Sequence, residues 1–493
     1  MKSENNFLET FRPQFHFSPK RGWMNDPNGL VYYDKEYHLF YQHIPESIQL
    51  PGDIHWGHAV SSDLIHWQHL PIALSPDDNG DIWSGSTVVD WNNTSGFQTG
   101  HEKVLVAIFT QVREEIQQQS IAYSNDRGRN WTMYQCNPVI ANPGIIDFRD
   151  PKVFWHKKSK LWVMVLANGD RIKIYNSDNL KEWILASEFG QLQGSHEGKW
   201  ECPDLFELVV EEDNKITRWV LLVSILNGSP NGGSGMQYFI GDFDGRKFTN
   251  DYPSSEIHWI DYGRDCYAGV TYSDIPKGDE RRILIGWVSN WSYARNVPTS
   301  PWRGSLTIPR RLILKRLHSG QLQLASLPCV EVQGLRGSII NKTNSLIIDS
   351  ANILVADNID RGAFEIIVEF QWNKEVSEFG LIIMNELNDH TIVKYNVVTE
   401  KIIFDRRHSG RIEFDNGFGN DVQAAPLPSE SNNLLLHVFI DWSSIEIFAK
   451  GGRVVMSNLV FPHRGYNKIE FFAIGGDVKA LRYDIWEINT VWK

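Results

Sequence analysis

Cysteine is scarce in this chain, with four residues in 493 (Cys136, Cys202, Cys266 and Cys329), widely spaced and without a C-x-x-C pair. So few cannot staple a chain of this size, so free thiols are expected. Long apolar runs are missing as well. No stretch approaches the ~20 residues of a membrane-spanning helix, and the N-terminal MKSENNFLETFRPQFHF holds no apolar segment of signal-peptide length. As written, the chain reads as soluble and cytoplasmic, or as secreted if a leader was removed, and no membrane partner is expected. The sequons at Asn92 and Asn130 carry meaning only in the second case. Basic clusters are also absent: 48 Lys and Arg face 60 Asp and Glu, a net charge of −12, with no stripe on which a phosphate backbone could condense. Nucleic acid is therefore not an expected partner. His55, His58, His66 and His69 cluster in sequence, but alternating strands spread them over two faces and no H-E-x-x-H helix exists. No metal and no other cofactor is expected. The glycine-rich NGSPNGGSGMQ (227–237) lacks the Lys-Ser/Thr ending of a phosphate loop and reads as a hairpin or rim loop.

Aromatic residues are plentiful: 19 Trp, 16 Tyr and 25 Phe. Such rings fill sheet cores, and they also stack on the C–H faces of sugars while hydroxyls seek carboxylates and amides. Short alternating apolar runs dominate, as in GLVYYDKEYHLFYQH (29–43) and LWVMVLANGDRIKIYNS (161–177), which predict antiparallel strands and hairpins. A weak repeat recurs in SSDLIHW, YSNDRGRNW, YNSDNLKEW and GDFDGRKF, ending at Trp67, Trp131, Trp183 and Phe248, with spacings of 64, 52 and 65 residues. One four-stranded sheet takes about that length, so the unit reads as a propeller blade and about 320 residues give five blades. From about residue 340 the strands lengthen (362–372, 379–386, 434–455), with a hairpin turn at Gly451 and Gly452. The expected architecture is all-β: a five-bladed β-propeller over residues 1–330, then a C-terminal β-sandwich over 331–493, with 324–338 as the connection. The sandwich could brace the propeller or bind polymer, and a brace is the expected role.

Three acids stand in Pro-containing motifs that read as tight turns: WMNDPNG (Asp26), DFRDP (Asp150) and KWECPD (Glu201). Proline locks one dihedral of the loop it enters and so fixes where a neighbouring carboxylate points. A lone Asp-Pro turn is ordinary surface structure. Three on different blades can converge only at a propeller axis.

These motifs, with RPQFHFSP, WSGS (83–86), HWGHAVSSDLIHW, SNWSYARNVPTSPWRGS and DWSSIEIF, resemble glycoside hydrolase family 32, the invertases, levanases and inulinases. The likeness covers nearly the whole chain, and its texture is nearest that of bacterial exo-acting levanases and fructanases. The resemblance implies a retaining β-fructosidase that releases terminal fructose from sucrose, inulin or levan. Asp26 would attack C2 of the fructosyl unit, Glu201 would serve as acid and base, and Asp150 would stabilise the transition state. It also implies a subsite lined by Trp23, Asn25, Gln42, Trp56, Trp83, Ser84 and Trp291, with Arg149 holding Asp150 ionised. Retention requires carboxyl groups about 5 Å apart and of different pKa. Trp200 is expected to raise the pKa of Glu201, and Asn25 with the nearby amides to favour ionised Asp26. Cys202 is expected to pack beside the acid without acting as a nucleophile. Leu50 stands where the family commonly has a rim tryptophan, so stacking there is expected to be lost. A fructosyltransferase would use the same residues, and a non-catalytic carbohydrate-binding protein would retain the scaffold alone.

Overall fold

The computed structural model describes residues 7–492 apart from 212, 277, 350, 351, 420 and 421. The first six residues, part of the polar N-terminus read above, lie outside the described residues. Alternating apolar segments broken by Gly, Asn and Asp form antiparallel strands throughout. Among the described residues the only helical segment is a 3-10 turn at Val330–Leu335.

Up to residue 328 the strands form five successive blades in four hydrogen-bonded sheets, the last two blades being joined where Val210 pairs in parallel with Leu314. Their inner strands are Gly22–Tyr33, Asp81–Asp90, Phe148–His156, Trp200–Val210 and Tyr267–Thr271, and these contact one another in a closed ring. This is the expected five-bladed propeller. The chain returns to the first blade late, where Trp302 and Arg303 pair in parallel with Gly22 and Trp23. The sequence repeat is the corner between the third and fourth strands of a blade. Trp67, Trp131 and Trp183 each donate their indole N–H to a carbonyl three residues back, at 3.1, 3.0 and 3.0 Å.

The expected connection at 324–338 is shorter in the structure. Leu322–Pro328 pairs with Arg310–Arg316 as the outer strand of the fifth blade, because its alternating apolar residues are half of a sheet pair and not a linker. Beyond the 3-10 turn, two antiparallel sheets pack face to face over a core that includes Phe364, Val368, Leu381 and Phe471. The hairpin at Gly451 and Gly452 joins Ser444–Ala449 to Val454–Leu459, with both glycines at positive φ. This sandwich meets the propeller through buried, paired charge. Arg310 reaches Asp261 at 2.8 Å and Glu446 at 2.5 Å, Arg406 reaches Asp265 at 2.7 Å, and His16 sits between Asp441 (2.8 Å) and Glu446 (2.9 Å). The glycine-rich segment 227–234 is a rim loop, and its Asn231 donates to the Ala424 carbonyl of the sandwich at 3.1 Å.

The three acidic motifs are not turns. Each lies inside an inner strand, where the register breaks: between Met24 and Pro27, opposite Val165 and Ala167, and between Glu201 and Asp204. Proline has no N–H for the ladder, so the strand bulges there, and a bulge re-aims side chains. The second and fifth inner strands break register likewise, between Ile82 and Gly85 and between Tyr267 and Val270. All five blades thus turn one side chain or more toward the axis at the same end.

Candidate active site

Asp26, Asp150 and Glu201 meet at that end of the axis. Asp26 is 7% exposed and accepts a dense set of donors. Asn25 Nδ2 reaches Oδ1 at 2.9 Å, while Ser84 Oγ (2.7 Å), Gln42 Nε2 (3.2 Å) and Cys202 Sγ (3.4 Å) reach Oδ2. Trp23 Nε1 donates to Asn25 Oδ1 at 2.7 Å, so the indole orients the amide that holds the carboxylate. These donors favour the charged form, as expected, but burial and the nearby Glu201 outweigh them and raise the Asp26 pKa.

Asp150 adopts φ +65°, its amide donates to Thr110 Oγ1 at 2.8 Å, and its Oδ2 accepts the Cys202 amide at 3.1 Å. The expected partnership with Arg149 is displaced. Arg149 lies 3.9 Å from Asp150 but donates to Glu201 Oε1 through Nε (3.0 Å) and Nη2 (2.8 Å), and to Asp147 Oδ1 at 2.6 Å. Sequence neighbours diverge at the bulge, and the long guanidinium spans to the next blade. Burial pushes the Asp150 carboxyl up to about 7, with Arg149 at 3.9 Å only partly opposing it and the nearby Glu201 and Asp26 adding to the rise.

Glu201 Oε2 accepts the Tyr267 hydroxyl. Trp200 is not its apolar neighbour, because successive strand residues face opposite sides. The Trp200 ring is fully buried in the adjoining core and bonds the Ser195 carbonyl at 2.8 Å. Cys202, next in the chain, bridges the two aspartates through its amide and thiol. Burial and the surrounding carboxylates drive its thiol pKa far up, so it is a neutral donor and not a thiolate.

The expected lining residues divide into two sets. Gln42 and Ser84 touch Asp26 directly, and Asn25 does so under Trp23. Trp83 and Trp291 are half-buried, and the Trp83 indole N–H has no acceptor among the described residues. Trp23 and Trp56 present no accessible surface. Trp23 lies behind Trp291, with ring centroids 6.2 Å apart, while Trp56 is packed among Phe40 and Phe109 and donates to the Trp83 carbonyl at 2.9 Å. Both position the lining and form none of it, because each indole is consumed by the core between blades. Leu50 is half-buried at the rim and packs against the same cluster as Trp291. Sequence reasoning missed Tyr267 and Asp147; Tyr267 sits in DCYAG, which carries no motif, and only its place at the fifth bulge singles it out.

Such a site can hold one carboxylate in a fixed pose and place a second, differently partnered carboxyl across from it. It also leaves an indole donor for a hydroxylated ligand. Among the described residues no group of three or more His, Cys, Asp or Glu is arranged to hold a metal ion. Known proteins align with this chain over nearly its whole length. The chain aligns with a levanase of Bacillus subtilis (strain 168) at 52% identity, over 98% of this chain and 71% of that protein. The crystal structure of an exo-inulinase from Aspergillus awamori superposes with a TM-score of 0.91 at 36% identity, covering 99% of this chain and 100% of the other. A β-fructofuranosidase from Schwanniomyces occidentalis complexed with fructosyl-erythritol gives 0.87 at 34% identity, covering 98% and 99%. The family model for the glycosyl hydrolases family 32 N-terminal domain matches residues 16–326, its C-terminal companion matches 331–487, and the chain belongs to that family of glycoside hydrolases.

Proposed function

We propose that this enzyme removes terminal fructose from the non-reducing end of sucrose or fructans with retention, through a covalent fructosyl-enzyme intermediate. The observation that carries the reading is the unequal dressing of the two carboxyls. Asp26 is fixed by four donors, as a nucleophile needs. Glu201 is held by Arg149 on one oxygen and by the Tyr267 hydroxyl on the other. In this reading Asp26 attacks C2 as Glu201 protonates the departing glycosidic oxygen, and Glu201 then deprotonates the water that releases fructose. Asp150 accepts hydrogen bonds from ring hydroxyls, and these donors lower its pKa when substrate arrives. Arg149 serves Glu201 more than Asp150 and orients it against the leaving group. The names of the relatives, levanase, exo-inulinase and β-fructofuranosidase, support a fructoside as substrate.

Residues 1–330 are proposed as the catalytic propeller and 331–493 as its sandwich companion, supported by the change of strand partners after Pro328. The test is fructose release from sucrose, inulin and levan by the wild type and by Asp26→Asn. Release falling by about 10³-fold or more in the variant is expected, and equal activity overturns the mechanism. Products chromatographed at high sucrose should be glucose and fructose; dominant trisaccharides would make the enzyme a transferase.

A further inference from the structure

The acids sit at the N-terminal ends of three of the five inner strands. Just beneath them the axis narrows to about 10 Å³ between Gly85, Pro151, Pro203 and Val270, room for about one water. Past that floor the C-terminal ends open into a separate cavity of about 1100 Å³, at the large end of the range for small-molecule sites. All five blades contribute to it, and the reaction uses none of it.

Its wall has two features that a plain axial channel does not need. The first is a set of incompletely buried rings: Tyr32, Phe154, Trp155 and Trp219 are half-buried, and Trp91 is 51% exposed. Trp162, a neighbour that serves the core, is 3% exposed. Trp91 is also held in place, its Nε1 bonded to Asp274 Oδ1 at 2.8 Å, so an apolar face is presented at the mouth in a fixed pose.

The second feature is polar capacity left over. Arg282 spends Nη1 on the Tyr272 carbonyl (3.2 Å) and lies over the Phe206 ring at 5.2 Å. Its other donors have no acceptor among the described residues. Asp204 gives one oxygen to Lys152 (3.0 Å) and to the Thr271 amide and hydroxyl, and its Oδ1 has no donor. The lining includes five Lys or Arg and four Asp or Glu, which nearly cancel. A phosphate-bearing ligand would meet as much repulsion as attraction. A neutral, hydroxyl-rich ligand with apolar faces matches the rings, the mixed donors and acceptors, and the charge balance.

We infer that this cavity is a second carbohydrate-binding site that takes a stretch of neutral oligosaccharide. The inference deepens the proposed function by giving its polymeric substrates another foothold, and rests on that reading only for the identity of the sugar. An inner strand of nine residues spans roughly 30 Å at ~3.3 Å per residue, and the two spaces open on opposite ends. Only a polymer can touch both. Tethering raises local substrate concentration without new contacts at the acids.

Binding of a fructo-oligosaccharide of four units is measured by titration calorimetry on Asp26→Asn, which is not expected to consume it, and on Asp26→Asn/Trp91→Ala. Two equivalents on the first and one on the second are expected. One equivalent on both, or two on both, overturns the site. In the active enzyme, Trp91→Ala should raise KM for levan or inulin several-fold while leaving kcat and sucrose turnover unchanged, and Trp91→Phe should restore it. Crystals soaked with the oligosaccharide should show sugar in the cavity; water alone at saturating ligand overturns the proposal. If the wild type released no fructose while the second equivalent still depended on Trp91, the fructosidase reading would fail and this site would stand.

Discussion

Asp150→Asn should make the protein more stable and nearly inactive, and the stability gain should depend on pH. Asp150 is 5% exposed, and its pKa rises from 3.8 to about 7 because burial outweighs the cation 3.9 Å away. A carboxyl with a raised folded pKa favours folding most when protonated, below about pH 4, and that advantage is lost as pH climbs through 7. Three pK units correspond to about 4 kcal/mol once the group is fully ionised. Asparagine mimics the protonated acid at every pH, and its side-chain oxygen can still accept the Cys202 amide that now bonds Asp150 at 3.1 Å. Between pH 5 and pH 8 the advantage of the variant should therefore grow by roughly 2–3 kcal/mol. For a cooperative unit of about 300 residues this adds a few degrees to Tm. Differential scanning fluorimetry at the two pH values reads the change, and fructose release reads the loss of turnover. A variant that loses stability at pH 8, or whose Tm difference is the same at both pH values, refutes the claim that Asp150 is a poorly compensated buried carboxyl.

Other outcomes follow from the same geometry. Glu201→Gln should lose about 10²–10⁴-fold in kcat on sucrose and far less on an aryl fructoside whose leaving group needs no proton; equal losses on both would remove Glu201 from the acid role. Leu50→Trp should restore a stacking face at the rim and lower KM for oligosaccharides by about two- to tenfold, from ~0.5–1.5 kcal/mol of ring contact. His16, buried between Asp441 and Glu446, has its pKa raised from 6.5 to about 9. Burial opposes that shift and the two carboxylates drive it, so the stabilisation is complete below pH 6.5 and lost as pH rises through 9. The ~3 kcal/mol implied by the shift should appear as a fall in wild-type Tm across that window that His16→Gln does not share.

Much of the fold and site is legible in the sequence, and what is not has one physical cause. Period-two alternation is local, so runs such as 29–43 and 161–177 declared themselves as strands, and the corner residues around Trp67, Trp131 and Trp183 declared the blade. The partner of a side chain is not local. Arg149 precedes Asp150 yet serves Glu201, 52 residues on, because a bulge separates the neighbours and the next blade lies within reach. Proline in a strand reads as a turn from sequence, since the missing N–H matters only once a pairing strand is known. The placement of Trp200 was foreseeable, because alternation sends it opposite Glu201. Tyr267 was not, since nothing in DCYAG sets it apart until five bulges are seen to face one axis.

The buried charges of the molecule fall into two regimes, and the contrast bears on mechanism. At the seam between propeller and sandwich each cation has its carboxylates: Arg310 with Asp261 and Glu446, Arg406 with Asp265, and His16 with Asp441 and Glu446. Charge there is matched, and a seam so paired has little reason to change. At the axis there is one guanidinium for three carboxyls: Arg149 reaches Glu201 at 2.8 Å and Asp150 at 3.9 Å, and Asp147, its other partner, is also paired with Lys199 at 2.8 Å. Burial, and after it the neighbouring carboxylates, raises the pKa values of Asp26 and Asp150. A group of acids short of positive charge is a poor device for stability and a good one for a reaction whose transition state is oxocarbenium-like. In the proposed reaction, the positive charge that these acids lack is the one the fructosyl ring develops as its glycosidic bond breaks.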